Sequence, residues 1–380
     1  MSREWVAIFV GIVLVAMVLW EAFEAIILPR RVTRRFRLTR LYYRTSWRMW
    51  QLFARWSPSR KRRETFFSYF GPLSILCLLV VWAAGLVLAF ALLHYGTGSA
   101  VNASGQAPGF ATDLYLSGTT FFTLGLGDVT PRTPLARALT VVESGMGFGF
   151  LAAVIGYLPV IYQGFSRREV SISLLDSRAG SPPSAGELLR RHSHGRGHEE
   201  LGELLHDWER WSADLLESHL SYPVLAFFRS QHDNQSWLSA LTAILDTCAL
   251  VMTGLEGACE RQAELTFAMA RHAVVDLAQV FGSSPKTMPH DRLPPADLLR
   301  LRETLAKHGL RLRVDAAADE RLAELRAMYE PYVYSLARYL SLELPAWIPT
   351  GKGRDNWQTS AWGRSAGLVR EKELVHDDHD

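Results

Sequence analysis

Thr119-Thr120-Phe121-Phe122-Thr123-Leu124-Gly125-Leu126-Gly127-Asp128 is the stretch whose reading decides the fold. It lies between two long apolar runs, and from Thr120 it reads T-x-x-T-x-G-x-G-D. A cation leaves water only where oxygens replace its hydration shell, and a row of backbone carbonyls supplies them. Turning successive carbonyls to one side demands backbone angles that most L-residues resist and glycine tolerates, which accounts for Gly125 and Gly127. Thr123 adds a hydroxyl at the inner end of the row, and Asp128 sets a carboxylate at the outer mouth. A lone G-x-G-D is more often a turn; spanning segments on both sides make it a pore loop.

These residues resemble the selectivity filter of the tetrameric potassium-channel pore family. The resemblance covers about residues 70 to 165. It implies an outer helix over 72–95, a re-entrant pore helix over 112–122, the filter at 123–128 and an inner helix over 133–165. It also implies a potassium conduit made by a homotetramer, since one filter strand per chain cannot close a ring. Carbonyls of Thr123, Leu124, Gly125, Leu126 and Gly127 would then bind dehydrated K+, with the Thr123 hydroxyl at the inner site. Three departures from the family pattern stand out. Leu126 stands where the commonest filter has tyrosine, which removes a phenol tether to the pore helix. Tyr115 and Leu116 replace a tryptophan pair, and Thr119 sits where some relatives carry a glutamate partner for the filter aspartate.

Working outward on the N-terminal side, Trp5 to Leu28 is apolar apart from Glu21 and Glu24. At about 1.5 Å per residue it is long enough for a hydrocarbon core of about 30 Å. No small-residue cleavage site follows, which argues against a secretory signal. Glu21 and Glu24 fall at the helix end and read as interfacial carboxylates paired with Arg30 and Arg31. Residues 29–63 hold thirteen Arg or Lys and no Asp or Glu. The positive-inside rule makes this loop cytoplasmic and the N-terminus external. Arginine at every third position from Arg31 to Arg40 has the spacing of a voltage sensor. A central arginine costs about 2.5–3.5 kcal/mol to insert, and no acidic partner helices are available. Interleaved Phe36, Leu41, Tyr42, Trp47, Trp50, Phe53 and Trp56 instead fit an amphipathic helix on an anionic leaflet of membrane lipids.

Within the pore module, Leu73 to Tyr95 is a second span. Thr112 is read as the N-cap of the pore helix, with Asp113 in its first turn at the positive dipole end. Pro131 and Pro134 turn the chain into the inner helix. Gly145, Gly147, Gly149, Pro159 and Glu143 are candidate gating positions, with Gly156 near Pro159 at the inner end; for the glycines, close packing against a neighbouring helix is the competing reading. Glu143 is the one acidic group deep in this span and must face protein or water. It braces the back of the filter or sets the cavity field, and the sequence does not choose.

Beyond Arg167 and Arg168 the composition becomes polar and charged. Residues 166–198 read as a linker rich in Gly and Pro. Helical periodicity places helices near 199–220, 234–256, 260–282, 295–308 and 316–342, a cytoplasmic domain over 199–345, and a loose tail over 346–380. The apolar run 238–255 reads as a buried core helix in which a partner satisfies Asp246. No strand–G-x-G-x-x-G–helix unit marks a Rossmann gating domain. His192, His194 and His198 beside Glu199 and Glu200 read as a solvated tract, so no metal site is expected. The dipeptides His206-Asp207, His232-Asp233 and His290-Asp291 have no ordered ligand set, and an enzyme is not expected. The three cysteines are too scattered for a disulfide framework.

The sequence thus predicts an all-α membrane protein. A potassium-channel-like pore (70–165) is preceded by an N-terminal transmembrane helix (1–29) and a basic amphipathic segment (30–69), and followed by a soluble helical bundle. The expected activity is passive potassium conduction across the cell membrane, with no cofactor and no nucleic-acid partner. A non-selective cation channel and a non-conducting membrane-anchored sensor or scaffold are the alternatives.

Overall fold

The computed structural model describes residues 3–28, 38–57, 59–103, 109–194, 197–232, 234–255, 259–348 and 355–356. The chain divides into two compact units, 1–163 and 164–380. Three helices are long and apolar enough to cross a membrane, within 3–26, 60–96 and 134–179.

The first unit begins with α1 (Arg3–Ala22), which runs on through a single π-helical turn over Phe23–Ile27. It packs along α3 (Arg60–Gly96). The close approaches are Gly96 to Ile8, Gly11 to Ala89 and Leu93, and Gly85 to Val18, so the two helices run antiparallel. Small residues allow this where both helices are apolar all round and shape, not water expulsion, selects the contact. A Cβ at Gly11 would stand 2.9 Å from the Ala89 carbonyl oxygen, so the approach requires glycine there. Trp5, Phe9, Ile12 and Trp20 remain exposed on the other side, as expected of a surface solvated by lipid.

Between them lies α2 (Leu38–Ala54), the expected amphipathic helix. Trp47 is buried against Phe67 and Phe70 of α3, and Trp50 stacks on Phe66 with ring centroids 4.4 Å apart. The start of α2 is held by Glu21, whose carboxylate accepts from the Leu38 and Thr39 amides at 3.1 and 3.0 Å and from the Thr39 hydroxyl at 2.7 Å. A carboxylate at a helix N-terminus meets unsatisfied amides and the positive dipole end. Capping α2 is therefore what Glu21 does, whereas Arg30 and Arg31, its expected partners, lie outside the described residues. Glu24 accepts from the Trp20 indole at 2.8 Å.

The second span is longer than expected. α3 starts at Arg60, capped by Ser59, and runs through Pro72. The pore helix α4 (Phe110–Phe121) starts two residues before the expected point. Gly109, not Thr112, holds the N-cap, and Thr112 is buried one turn in. Two short strands went unforeseen: β1 (Val101–Ala103) pairs antiparallel with β2 (Val129–Pro131), tying the loop before α4 to the chain after the filter. α5 (Pro134–Ala179) is a single helix of 46 residues that passes from the first unit into the second. Residues 166–179, assigned to the linker, continue it because Ile172, Leu175 and Ala179 keep an apolar stripe, and Gly180 with φ +85° ends it.

The second unit holds α6 (Ala185–Arg191), α7 (Gly197–Ser221), α8 (Trp237–Met252), α9 (Glu260–Val280), α10 (Pro295–Lys307), α11 (Ala316–Ala327) and α12 (Glu330–Leu340). α8 is its centre, buried along its length and packed by α6, α7, α9, α11 and α12. The expected core helix is therefore present, and Asp246 has its partners. Arg292 reaches it at 2.6 Å and the Tyr329 hydroxyl donates at 2.5 Å. The single helix expected over 316–342 is two, because Pro331 at the first turn of α12 cannot continue α11. Nor are the described residues of 346–380 loose: Trp347 is buried, and Asp355 pairs with Arg191 at 2.7 Å. Burial opposes the Glu187 charge, but hydrogen bonds from Arg190 and Arg191 win and hold its carboxyl below the usual range.

Candidate functional site

The filter stretch follows directly on the C-terminus of α4. Thr123, Gly125 and Gly127 have φ of 58°, 55° and 78°, while Leu124 and Leu126 between them are not left-handed. Alternating the hand of the backbone turns successive peptide carbonyls to the same side, where a uniform strand would alternate them. The amide hydrogens of this stretch are used inward: Thr123 N–H donates to Thr120 O at 3.0 Å, and Leu124 N–H to Thr119 O at 2.8 Å. Among the described residues no donor reaches the carbonyls of residues 123–127. Glycine at 125 and 127 was legible as the residue that permits this backbone. The left-handed angle at Thr123 was not, since a β-branched residue there is strained, and such strain clusters at functional positions.

Behind the filter, the pore helix is tied at several points along its length. The Tyr115 hydroxyl donates to Asp128 Oδ2 at 2.9 Å. The tether lost at Leu126 is thus replaced by a phenol on the opposite partner, and Tyr115, not Thr119, engages the filter carboxylate. Further in, Glu143, Ser117 and His94 are fully buried together. The Ser117 hydroxyl bonds to Glu143 Oε1 and to the Val87 carbonyl, while His94 Nε2 lies 3.8 Å from Glu143 Oε2. Asp113, also buried, accepts from Ser99 at 2.5 Å. Glu143 is therefore enclosed by protein, against Ser117 of α4 and His94 of α3. Ser117 and His94 carried no sequence signal: neither belongs to a motif or a spacing that singles it out.

The candidate gating residues divide. A Cβ on Gly147 would overlap the Phe121 carbonyl, so this glycine is a close-packing position where α5 meets the end of the pore helix. Gly145, Gly149 and Gly156 face open space. Pro159 lies inside α5. In its most apolar stretch only 11% of α5 is buried, against 50% for α3. Leu124, Leu126, Phe148 and Ile155 are 62%, 64%, 69% and 65% exposed in the single chain.

Elsewhere, no group of three or more His, Cys, Asp or Glu residues is arranged to hold a metal among the described residues. His192 donates from Nδ1 to the Leu188 carbonyl at 2.8 Å, a helix-end contact. His232 and its described neighbours form no ligand set, and Asp233 lies outside the described residues.

Residues 75–163 match the model of the ion channel family, from the apolar part of α3 through α4 and the filter stretch to α5. This stretch is an ion-channel pore domain, and the family consists of transporters, not enzymes. An uncharacterized membrane protein, YdjJ of Bacillus subtilis (strain 168), is 21% identical over 258 residues, covering 66% of this chain and 74% of that protein. No solved structure matches.

Proposed function

We propose, from the premise that residues 75–163 are an ion-channel pore domain of a membrane protein, that four copies of the chain assemble a potassium-selective conduit. The observation that carries this reading is the alternation of hand at Thr123, Leu124, Gly125, Leu126 and Gly127, which presents consecutive unbonded carbonyls to one side. One such row supplies only part of a dehydrated ion's shell, and four related by a rotation axis enclose it. Several adjacent weak sites then let one ion displace the next. The uncovered apolar surface of Leu124, Leu126, Phe148 and Ile155 supports assembly, because further copies and lipid are what can cover it.

In this reading Glu143 and Ser117 brace the pore helix, Tyr115 and Asp128 fix the outer mouth, and Gly147 sets the packing of α5 against the filter base. The gate lies on α5, at Gly145, Gly149 or Pro159, and is worked by the second unit. The positive-inside rule, applied to the basic loop and Arg167, supports a cytoplasmic second unit and an external N-terminus. Arg40, Arg44 and Arg48, exposed on α2, face an anionic leaflet in this reading.

The test is potassium flux from liposomes containing the purified protein, with reversal potentials in opposed potassium and sodium gradients. Wild type should pass K+ in preference to Na+, and Gly125→Ala should abolish flux, because alanine cannot hold a φ of 55° without strain. Equal passage of both ions favours the non-selective channel. Flux unaffected by Gly125→Ala, or no flux at all, removes the pore reading and leaves a membrane-anchored scaffold.

A further inference from the structure

The second unit contains a groove that the pore reading does not use. It has a volume of about 240 Å³ and lies between α7 and the part of α5 that begins at Gly164. Its floor is apolar and aromatic, with Trp208 and Trp211 both buried. Its rim carries Arg167 and Arg178 from α5 and Arg210 from α7, all exposed. Asp207 and Asp214 share the rim. None of these five has an ion-pair or hydrogen-bond partner among the described residues, although helical spacing puts both carboxylates within reach of Arg210.

The fourth arginine in the groove contrasts with them. Arg168 is buried and fully committed. It bonds to Glu169 at 2.9 Å and donates to the Leu225 and Phe228 carbonyls at 2.8 and 2.9 Å, while Trp211 donates to its own carbonyl at 3.3 Å. This network fixes α5 against α7 and holds the groove open on a rigid base. A rigid aromatic floor under unpaired guanidinium groups is a recognition surface for phosphate, because a guanidinium fork matches two phosphate oxygens. Carboxylates beside them are poorly placed for a bare anion but accept from hydroxyl groups.

We propose that this groove binds a phosphate ester that also carries hydroxyl groups. The phosphate lies on Arg167, Arg178 and Arg210, the hydroxyls donate to Asp207 and Asp214, and the apolar body of the ligand lies against Leu174, the exposed apolar residue of the groove. Two sources share this chemistry. One is a phosphatidylglycerol headgroup, whose glycerol brings the hydroxyls; the other is a soluble mononucleotide, whose ribose brings them. The groove, about 240 Å³ and open at its rim, has room for a polar headgroup or part of a mononucleotide.

The test measures binding directly and does not depend on conduction. Full-length protein in a neutral detergent is dialysed against labelled adenosine monophosphate and against inorganic phosphate. Separately it is loaded with phosphatidylglycerol or phosphatidylcholine and weighed by native mass spectrometry. Wild type is compared with Arg167→Gln/Arg178→Gln/Arg210→Gln, three exposed substitutions whose effect on folding is checked by melting. The basic residues around α2 are intact in both proteins, so lipid held there cancels in the comparison.

Saturable adenosine monophosphate binding that weakens at least tenfold in the triple variant assigns the soluble ester. One phosphatidylglycerol per chain, lost in the triple variant and not replaced by phosphatidylcholine, assigns the lipid. Asp207→Asn/Asp214→Asn should weaken whichever ester binds at least threefold and leave inorganic phosphate no weaker. Three results overturn the proposal: binding of neither ester, binding of inorganic phosphate alone, or ester binding unchanged in the triple variant.

Discussion

The Tyr115 hydroxyl and the Asp128 carboxylate meet at 2.9 Å, joining the middle of the pore helix to the outer end of the filter stretch. The bond runs from helix to filter, so the bulky phenol need not sit in the filter itself, and Leu126 is free to be a smaller apolar residue. Removing the hydroxyl leaves the carboxylate untethered while the ring stays in place. Tyr115→Phe should therefore preserve expression and assembly but lower the potassium-to-sodium permeability ratio by roughly two- to tenfold, the usual range for one lost hydrogen bond. Reversal potentials in mixed gradients measure it; an unchanged ratio would show that the outer mouth is held by something else.

The three mid-helix glycines of α5 make a sharper comparison. Only Gly147 sits where a Cβ would meet backbone, that of Phe121. Gly147→Ala should force α5 away from the filter base at a cost of about 1–3 kcal/mol, typical of overpacking. Gly149→Ala has open space and a better helix former, and should be neutral or stabilising by up to about 1 kcal/mol. Thermal unfolding of the two variants side by side reads the difference. If Gly149→Ala is instead the damaging one, a neighbouring copy fills the space that the single chain leaves open.

Asp246 and Arg292 anchor the second unit. Burial opposes the charge on Arg292, yet Asp246 outweighs it and keeps the guanidinium more firmly protonated than usual. Replacing Arg292 by leucine strands a fully buried carboxylate with only the Tyr329 hydroxyl beside it. The expected loss is about 3–5 kcal/mol, the usual consequence of breaking a buried pair from one side. Asp246→Asn keeps a hydrogen-bonding group and should cost less, about 1–3 kcal/mol. Reversal of that order in chemical unfolding would mean that Tyr329 alone can satisfy the carboxylate.

How much of this was legible follows from the range over which each signal acts. The pore loop could be read because carbonyl alignment is a local backbone demand, met by Gly125 and Gly127 within one short stretch. The spans and the core helix α8 could be read because length and apolarity are local too. The Glu21 cap on α2, the tether from Tyr115 and the burial of His94 beside Glu143 join residues distant in sequence, and nothing in either partner alone announces the other. Element ends failed for a related reason. α3 and α5 run past their expected limits because Ser59 caps the one and an amphipathic stripe extends the other, whereas the reading stopped each at the edge of its apolar run.

His219 supplies a pH dependence whose sign can be worked out. It is buried, and burial followed by the neighbouring Arg168 charge pushes its pKa well below the ordinary 6.5. Its Nδ1–H donates to the Leu215 carbonyl at 2.8 Å, and Nε2 accepts from Arg168 at 3.3 Å, so the neutral ring is the form the site holds. The unfolded chain takes up a proton here on acidification before the folded chain does. Stability from this residue is therefore complete above about pH 6.5 and declines as pH falls below it, by up to about 1.4 kcal/mol per unit until the folded ring also protonates. His219→Gln accepts the Arg168 hydrogen bond without titrating, so its unfolding free energy should fall less between pH 6.5 and 5 than that of the wild type. Parallel pH profiles for the two proteins would show that His219 is not the group being titrated.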